Sequence, residues 1–252
     1  MKKLFLFDFD GTLVESSKKI SYENALILNK IKDYYDIGVL GGGELEKILN
    51  QMDDKIYFKH YFTECGSVYH KNKNNNNIEL ELKYKKNIRD HYLYDKINIL
   101  VKLCLKFISE VEYKITGNFI DLRNGLIYVS LIGMSANDNE REYFRNLDKD
   151  NCIRNKLINV LKKKSDELGI LDDISINIGG SVGIAIFPKE YDKIQVLDVI
   201  GNSYDEIYYF GDKYEEGGND HLLIKKLNDK GIKIDEINDT FIYLNKFILK
   251  NI

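Results

Sequence analysis

Two aspartates, Asp8 and Asp10, follow the apolar run Leu4-Phe-Leu-Phe7 and lead into Gly11 and Thr12. Side chains alternate along a strand, so the two carboxylates share a side while Phe9 points away. Paired acids repel each other unless positive charge lies between them, and a divalent cation with oxygen ligands meets that need. A second apolar run, Ile37-Gly-Val-Leu40, ends in Gly41-Gly-Gly43 ahead of a helical stretch, where bare N–H groups can meet a phosphate. A third, Ile207-Tyr-Tyr-Phe210, ends in Gly211-Asp212 and is followed by Gly217-Gly-Asn-Asp220. Acid pair, glycine turn and second acid together suit phosphoryl transfer.

Such residues must be brought together by parallel strands. Leu4 to Phe7 is apolar without interruption, as in a strand covered on both faces. Three such strands ending in chemistry-bearing residues converge at one crevice of a doubly wound sheet. From Lys86 the pattern changes: Leu93, Ile97, Leu100, Val101, Cys104 and Ile108 recur at helical spacing. Phe119–Arg123 and Leu126–Ile132 flank Asn124-Gly125, a hairpin signal. A helix is expected from about 151 to 168. Ile174, Ile176 and Ile178 then alternate with polar residues up to Gly179-Gly180, and Val182, Ile184 and Ile186 follow. The reading is an α/β chain: a doubly wound parallel-sheet core over 1–85 and 188–252, with an α+β cap inserted at 86–187. A cap over the catalytic end can close on substrate and exclude water.

Composition narrows the classes. The chain has 252 residues, is 44% hydrophobic and 31% charged, and carries a net charge of −3, too small for a nucleic-acid footprint. Cys65, Cys104 and Cys152 are widely spaced without a Cys-x-x-Cys, which suggests neither a disulfide framework nor a zinc site. No run of about 20 apolar residues spans a membrane. A cytoplasmic protein without nucleic-acid or membrane partners is expected.

At these residues the chain resembles the haloacid dehalogenase (HAD) superfamily and, within it, the eukaryotic-type phosphomannomutases. The resemblance runs through Asp8-Phe-Asp-Gly-Thr-Leu13, Gly38-Val-Leu-Gly-Gly42, Phe119-Ile-Asp-Leu-Arg-Asn-Gly125, Val129-Ser130, Ile132-Gly133, Phe187-Pro188, Asp192-Lys193 and Gly211-Asp-Lys213 with Gly217-Gly-Asn-Asp-His221. It implies an isomerase with a HAD-like Rossmannoid core that interconverts mannose 6-phosphate and mannose 1-phosphate for GDP-mannose synthesis. Asp8 would be the nucleophile, forming an aspartyl-phosphate, and Asp10 the acid and base. Magnesium would be held by Asp8, the Asp10 carbonyl and Asp212, with Asp220 orienting a bound water. Gly42, Gly43 and Lys193 would bind the reacting phosphoryl group, and Arg123 and Arg141 the phosphate that is not reacting. The resemblance further implies hexose 1,6-bisphosphate as activator and a homodimer through the cap.

Several positions depart from that pattern. Gly43 replaces a serine or threonine, Ser17 an arginine for which Lys18 or Lys19 could compensate, and Met134 a third cap arginine. Gly183 and Ala185 stand where a phosphate-binding serine and a sugar-binding aspartate are expected, and Lys226 where an acid serves an accessory cation site. Two other readings therefore stand beside the mutase: a sugar-phosphate phosphatase on the same scaffold, and a weakly active binding or regulatory homologue. Residue by residue, Arg123 and Arg141 could be solvated, Asp212 a helix cap, Lys193 a surface lysine and the glycines plain turns.

Overall fold

The computed structural model describes residues 1–16, 18–74 and 76–251, so Ser17 lies outside the described residues. β1 (Lys3–Phe7), α1 (Tyr22–Lys32), β2 (Asp36–Leu40), α2 (Leu45–Met52), β3 (His60–Thr63), β4 (Val68–Asn72) and β5 (Leu80–Lys85) come first. α3 (Tyr94–Ser109), β6 (Ile120–Leu122), β7 (Ile127–Ser130), α4 (Asp138–Asn151), α5 (Ile153–Glu167), β8 (Ile174–Gly179) and β9 (Gly183–Pro188) follow. α6 (Val196–Ile200), β10 (Glu206–Gly211), α7 (His221–Leu227), β11 (Gly231–Lys233) and α8 (Ile237–Asn251) come last. Two compact units result, one of Met1–Lys86 with Lys193–Ile252 and the other of Asn87–Asp192.

The first unit is α/β. Its sheet has the order β11-β10-β1-β2-β3-β4-β5, parallel from β11 to β3 and antiparallel beyond. Odd residues of β1, Phe5 and Phe7, pack with Leu28 of α1, Ile48 of α2 and Leu244 of α8, whereas Leu4 and Leu6 pack with Val196 of α6 and Leu223 of α7. Burial on both faces explains why the strand shows no polar alternation. Crossing strand order at β1 leaves a crevice beyond the carboxyl ends of β1, β2 and β10.

The second unit is α+β. Its antiparallel sheet runs β6-β7-β9-β8. Ile127, Val129, Ile176, Ile184 and Ile186 form one face and pack with Leu100 of α3 and Leu157 of α5. The opposite face carries Asp121, Tyr128, Ala185 and Asn177 as cross-strand neighbours. Ahead of the expected helix stands α4, which hydrophobic periodicity does not reveal, because only Phe144 and Asp148 along it are buried. Asn137 and Glu140 close a capping box at its start, and Cys152, at φ 52°, separates it from α5. No helix among the described residues is long and apolar enough to cross a membrane.

Candidate active site

The site is assembled where β1 ends. Phe7 pairs with Phe210 on one side and Val39 on the other, so Asp8 and the residues after β10 and β2 emerge together. The Asp8 N–H donates to the Phe210 carbonyl at 2.8 Å, extending the ladder one step beyond the strand. Gly11 then turns the chain at φ +89°, and a Cβ there would lie 2.5 Å from Asp212 Oδ2. Only glycine meets both conditions.

Lys193 is completely buried, and its Nζ donates to Asp8 Oδ1 at 2.6 Å and to Asp220 Oδ1 at 2.7 Å. Asp220, also fully buried, accepts further bonds from the Tyr209 hydroxyl at 2.5 Å and the Lys213 N–H at 2.9 Å. Burial works to discharge Lys193, but the carboxylates of Asp220 and Asp8 reverse the effect and hold it protonated, its pKa raised. The Asp8 pKa is raised by burial, against the pull of Lys193 and Lys213. Burial, with Asp220 close by, likewise raises that of Tyr209, which stays a hydrogen-bond donor. This cation bridging two buried carboxylates is not a snorkelling surface lysine.

Ligand oxygens of Asp8, Asp212 and Asp220 lie within 4.8 Å of one another, enough to hold a metal ion. Asp212 Oδ1 and Asp10 Oδ1 are buried without a hydrogen-bond partner, so the site contains acceptor capacity that the protein leaves unused. An all-oxygen, anionic donor set fits a hard divalent cation. Within that set Asp220 differs, because its two oxygens already accept from Lys193, Tyr209 and Lys213.

Two contributors escaped the sequence reading. Lys47, in the first turn of α2, donates to Asp10 Oδ2 at 2.5 Å. Its place four residues beyond Gly43 on a helix was the available signal. Tyr209 could have been sought by strand alternation, since it shares a cluster with Leu4 and Leu6 on the Lys193 side of the sheet. Of the glycine turn, Gly41 and Gly43 carbonyls accept from Cys65 and Glu64 N–H groups, and a Cβ at Gly43 would lie 3.2 Å from Lys47 Cδ. Lys19, expected as a phosphate ligand, is instead held on Asp53 at 2.5 Å in an exposed pair, and Lys18 is held on Glu15. Lys226 lies exposed near the end of α7.

In the second unit, Arg123 donates to Asp121 at 2.7 Å and stands 5.3 Å above the Tyr128 ring. Arg141 Nε and Nη2 donate to the Ala136 and Met134 carbonyls at 2.8 and 2.7 Å. Among the described residues it pairs with no carboxylate, so its charge is held in place without being neutralised.

Residues 24–250 match the family model for eukaryotic phosphomannomutase. The chain belongs to that family. A phosphomannomutase of Arabidopsis thaliana is 32% identical over 238 residues, covering 93% of this chain and 92% of the relative. One of Triticum aestivum is 30% identical over 240 residues, covering 94% and 92%. Among solved structures, the C-terminal domain of C. albicans trehalose-6-phosphate phosphatase superimposes with a TM-score of 0.62 at 14% identity, over 99% of this chain and 93% of that one. Plasmodium falciparum IMP-nucleotidase gives 0.71 at 14% identity, over 99% of this chain and 62% of that one. These structures share the HAD fold. The family match takes in residues of both units.

Proposed function

We propose that this enzyme is a phosphomannomutase, interconverting mannose 6-phosphate and mannose 1-phosphate through an aspartyl-phosphate and so supplying GDP-mannose synthesis in the cytoplasm. The observation that carries the reading is the buried Asp8–Lys193–Asp220 bridge, in a chain that matches the family over nearly its whole length. The first unit is the catalytic core and the second its cap, through which two copies pair as a homodimer.

Asp8 attacks phosphorus, the new carboxylate–phosphorus bond forms, and the bond to the sugar oxygen breaks. Asp10 donates a proton to that departing oxygen and takes one from the attacking hydroxyl in the return step. Lys193 fixes the nucleophile and carries positive charge toward the phosphoryl oxygens. Lys47 holds Asp10 in place. Mg²⁺, held by Asp8, Asp212 and the Asp10 carbonyl, would neutralise charge on the transferring group. A hexose 1,6-bisphosphate primes Asp8 and reorients between half-reactions, while Arg123 and Arg141 hold whichever phosphate is not reacting.

The phosphatase reading has a specific support: Gly183 and Ala185 offer the substrate no polar side chain. A phosphorus NMR time course with mannose 1-phosphate, Mg²⁺ and catalytic glucose 1,6-bisphosphate separates the two. Isomerisation that depends on the bisphosphate is expected; free phosphate without isomer would replace the mutase by a phosphatase. Asp8→Asn should lower turnover by on the order of 10⁴-fold, and unchanged turnover excludes the covalent route.

A further inference from the structure

Tyr128 projects from the face of the second unit's sheet that is turned away from α3 and α5, and it lies on glycine. A Cβ at Gly183 would stand 2.6 Å from both Cζ and the phenol oxygen of Tyr128, and one at Gly179 would stand 3.1 Å from its ring. Gly183 has no left-handed backbone to explain its type. What it provides is room for the phenol. The Arg123 guanidinium stands over the ring, 5.3 Å from the centroid. With glycine and arginine both against the ring, what it offers a ligand is its hydroxyl rather than a surface for stacking a base or sugar.

Three arginines stand near that hydroxyl, two of them paired to aspartates. Burial, with Asp121 nearby, raises the phenol's pKa against the pull of Arg123, Arg141 and Arg154, so it keeps its proton as a donor. Arg154 is tied to Asp148 and to the Gly180 carbonyl, and so steadies the turn beneath the ring. The phenol's present acceptor is the Gly179 carbonyl at 3.2 Å, a long bond that a charged acceptor can replace.

We propose that the Tyr128 hydroxyl is a ligand of the substrate's non-reacting phosphate, bound together with Arg123 and Arg141. The inference rests on the mutase reading and sharpens its substrate site: the group recognised is a phosphate monoester dianion. The hydroxyl expected from a serine at position 183 is delivered from β7 instead, because the phenol oxygen fills the space that a side chain at 183 would enter.

The test is calorimetry with glucose 1,6-bisphosphate on the full chain carrying Asp8→Asn, which blocks transfer, with and without Tyr128→Phe. Loss of one hydrogen bond to a charged group should weaken binding by about ten- to a hundredfold. In the chain with Asp8 intact, the same substitution should raise the KM for the bisphosphate more than it lowers kcat. Unchanged affinity overturns the proposal. So does a fall in kcat with KM unaltered, which marks a packing role. A chain that releases phosphate without isomerising substrate refutes the mutase reading, while the calorimetry still decides whether Tyr128 grips the second phosphate.

Discussion

The two charged clusters are built in opposite ways. Around Asp8 the cation and Asp220 are wholly buried and each is held by partners from separate segments: Lys193 before α6, Tyr209 on β10 and Lys213 after it. Around Tyr128 the arginines are half-buried and lean on main-chain carbonyls, a neighbouring aspartate and an aromatic ring. Buried charges tolerate no loss of a partner, since the survivor stays desolvated and unpaired. Half-buried arginines on carbonyls can exchange neighbours at small cost. The departures at Met134, Gly183 and Ala185 fall in the second cluster; in the first unit Gly43 and Lys226 also depart, but Asp8, Asp10, Asp212, Asp220 and Lys193 are intact. The buried carboxylates and their lysine are thus the part kept whole, and most departures lie on half-buried or exposed positions.

The hardest blow to that contrast is Lys193→Met. It leaves two buried carboxylates without their cation, so the folded chain should lose roughly 3–5 kcal/mol together with nearly all turnover. Urea unfolding measures the first and the NMR assay the second. A variant as stable as the parent would show that the bridge is not the structural keystone argued here.

Acid should weaken the first unit next. His60 on β3 is buried, with Nδ1 2.8 Å from the Tyr69 hydroxyl and Nε2 2.5 Å from that of Tyr204. Tyr204 donates to Asp36 at 2.8 Å. Since a carboxylate only accepts, Tyr204 is free to accept from Nε2–H, and Nδ1 accepts from Tyr69. Burial pushes the His60 pKa down to about 3, so the folded state keeps the ring neutral. The unfolded chain binds that proton at about pH 6.5. His60 therefore contributes fully above pH ~6.5, and its contribution declines toward pH ~3, by on the order of 3–5 kcal/mol in all. His60→Gln should flatten the pH dependence of stability in that window. An unchanged slope would mean the ring is charged in the fold.

What the sequence showed and what it hid divide along the same line. Asp8, Gly41–Gly43 and Asp212 could be placed because strand ends in a parallel sheet are fixed by apolar runs, and those runs are local. Alternation gives the sheet face of Tyr209 and helical position the side of Lys47, but that they end on Asp220 and Asp10 is a tertiary contact that periodicity does not encode. α4 stayed hidden because a helix with two buried residues has almost no apolar stripe, although its capping box was written in Asn137 and Glu140. Alternation puts Tyr128 on the polar face of β7, but only coordinates reveal the glycine beneath it.

Gly183→Ala tests the softer cluster. The added methyl would stand 2.3 Å from the Val129 carbonyl as well as against Tyr128, so strain of about 1–3 kcal/mol is expected. Combining it with Tyr128→Ala should recover only part of that loss, because the carbonyl remains. Full recovery in denaturant unfolding would assign the glycine to the phenol alone.

The smallest effect belongs to Lys19→Ala, and it decides between local sequence and tertiary contact. The family pattern has an arginine at position 17, and Lys18 or Lys19 is the residue offered in its place. The structure gives its ammonium to Asp53, which also accepts from Lys55, and this pair of lysines holds the Asp53 carboxyl down to about 2. An exposed ion pair contributes little to stability and is screened by salt. Removing Lys19 should therefore leave kcat/KM for mannose 1-phosphate within about twofold and shift the Asp53 titration upward, with Lys55 retaining part of the effect. A KM raised tenfold would mean that the lysine leaves Asp53 when substrate binds, and would move it from the surface into the site.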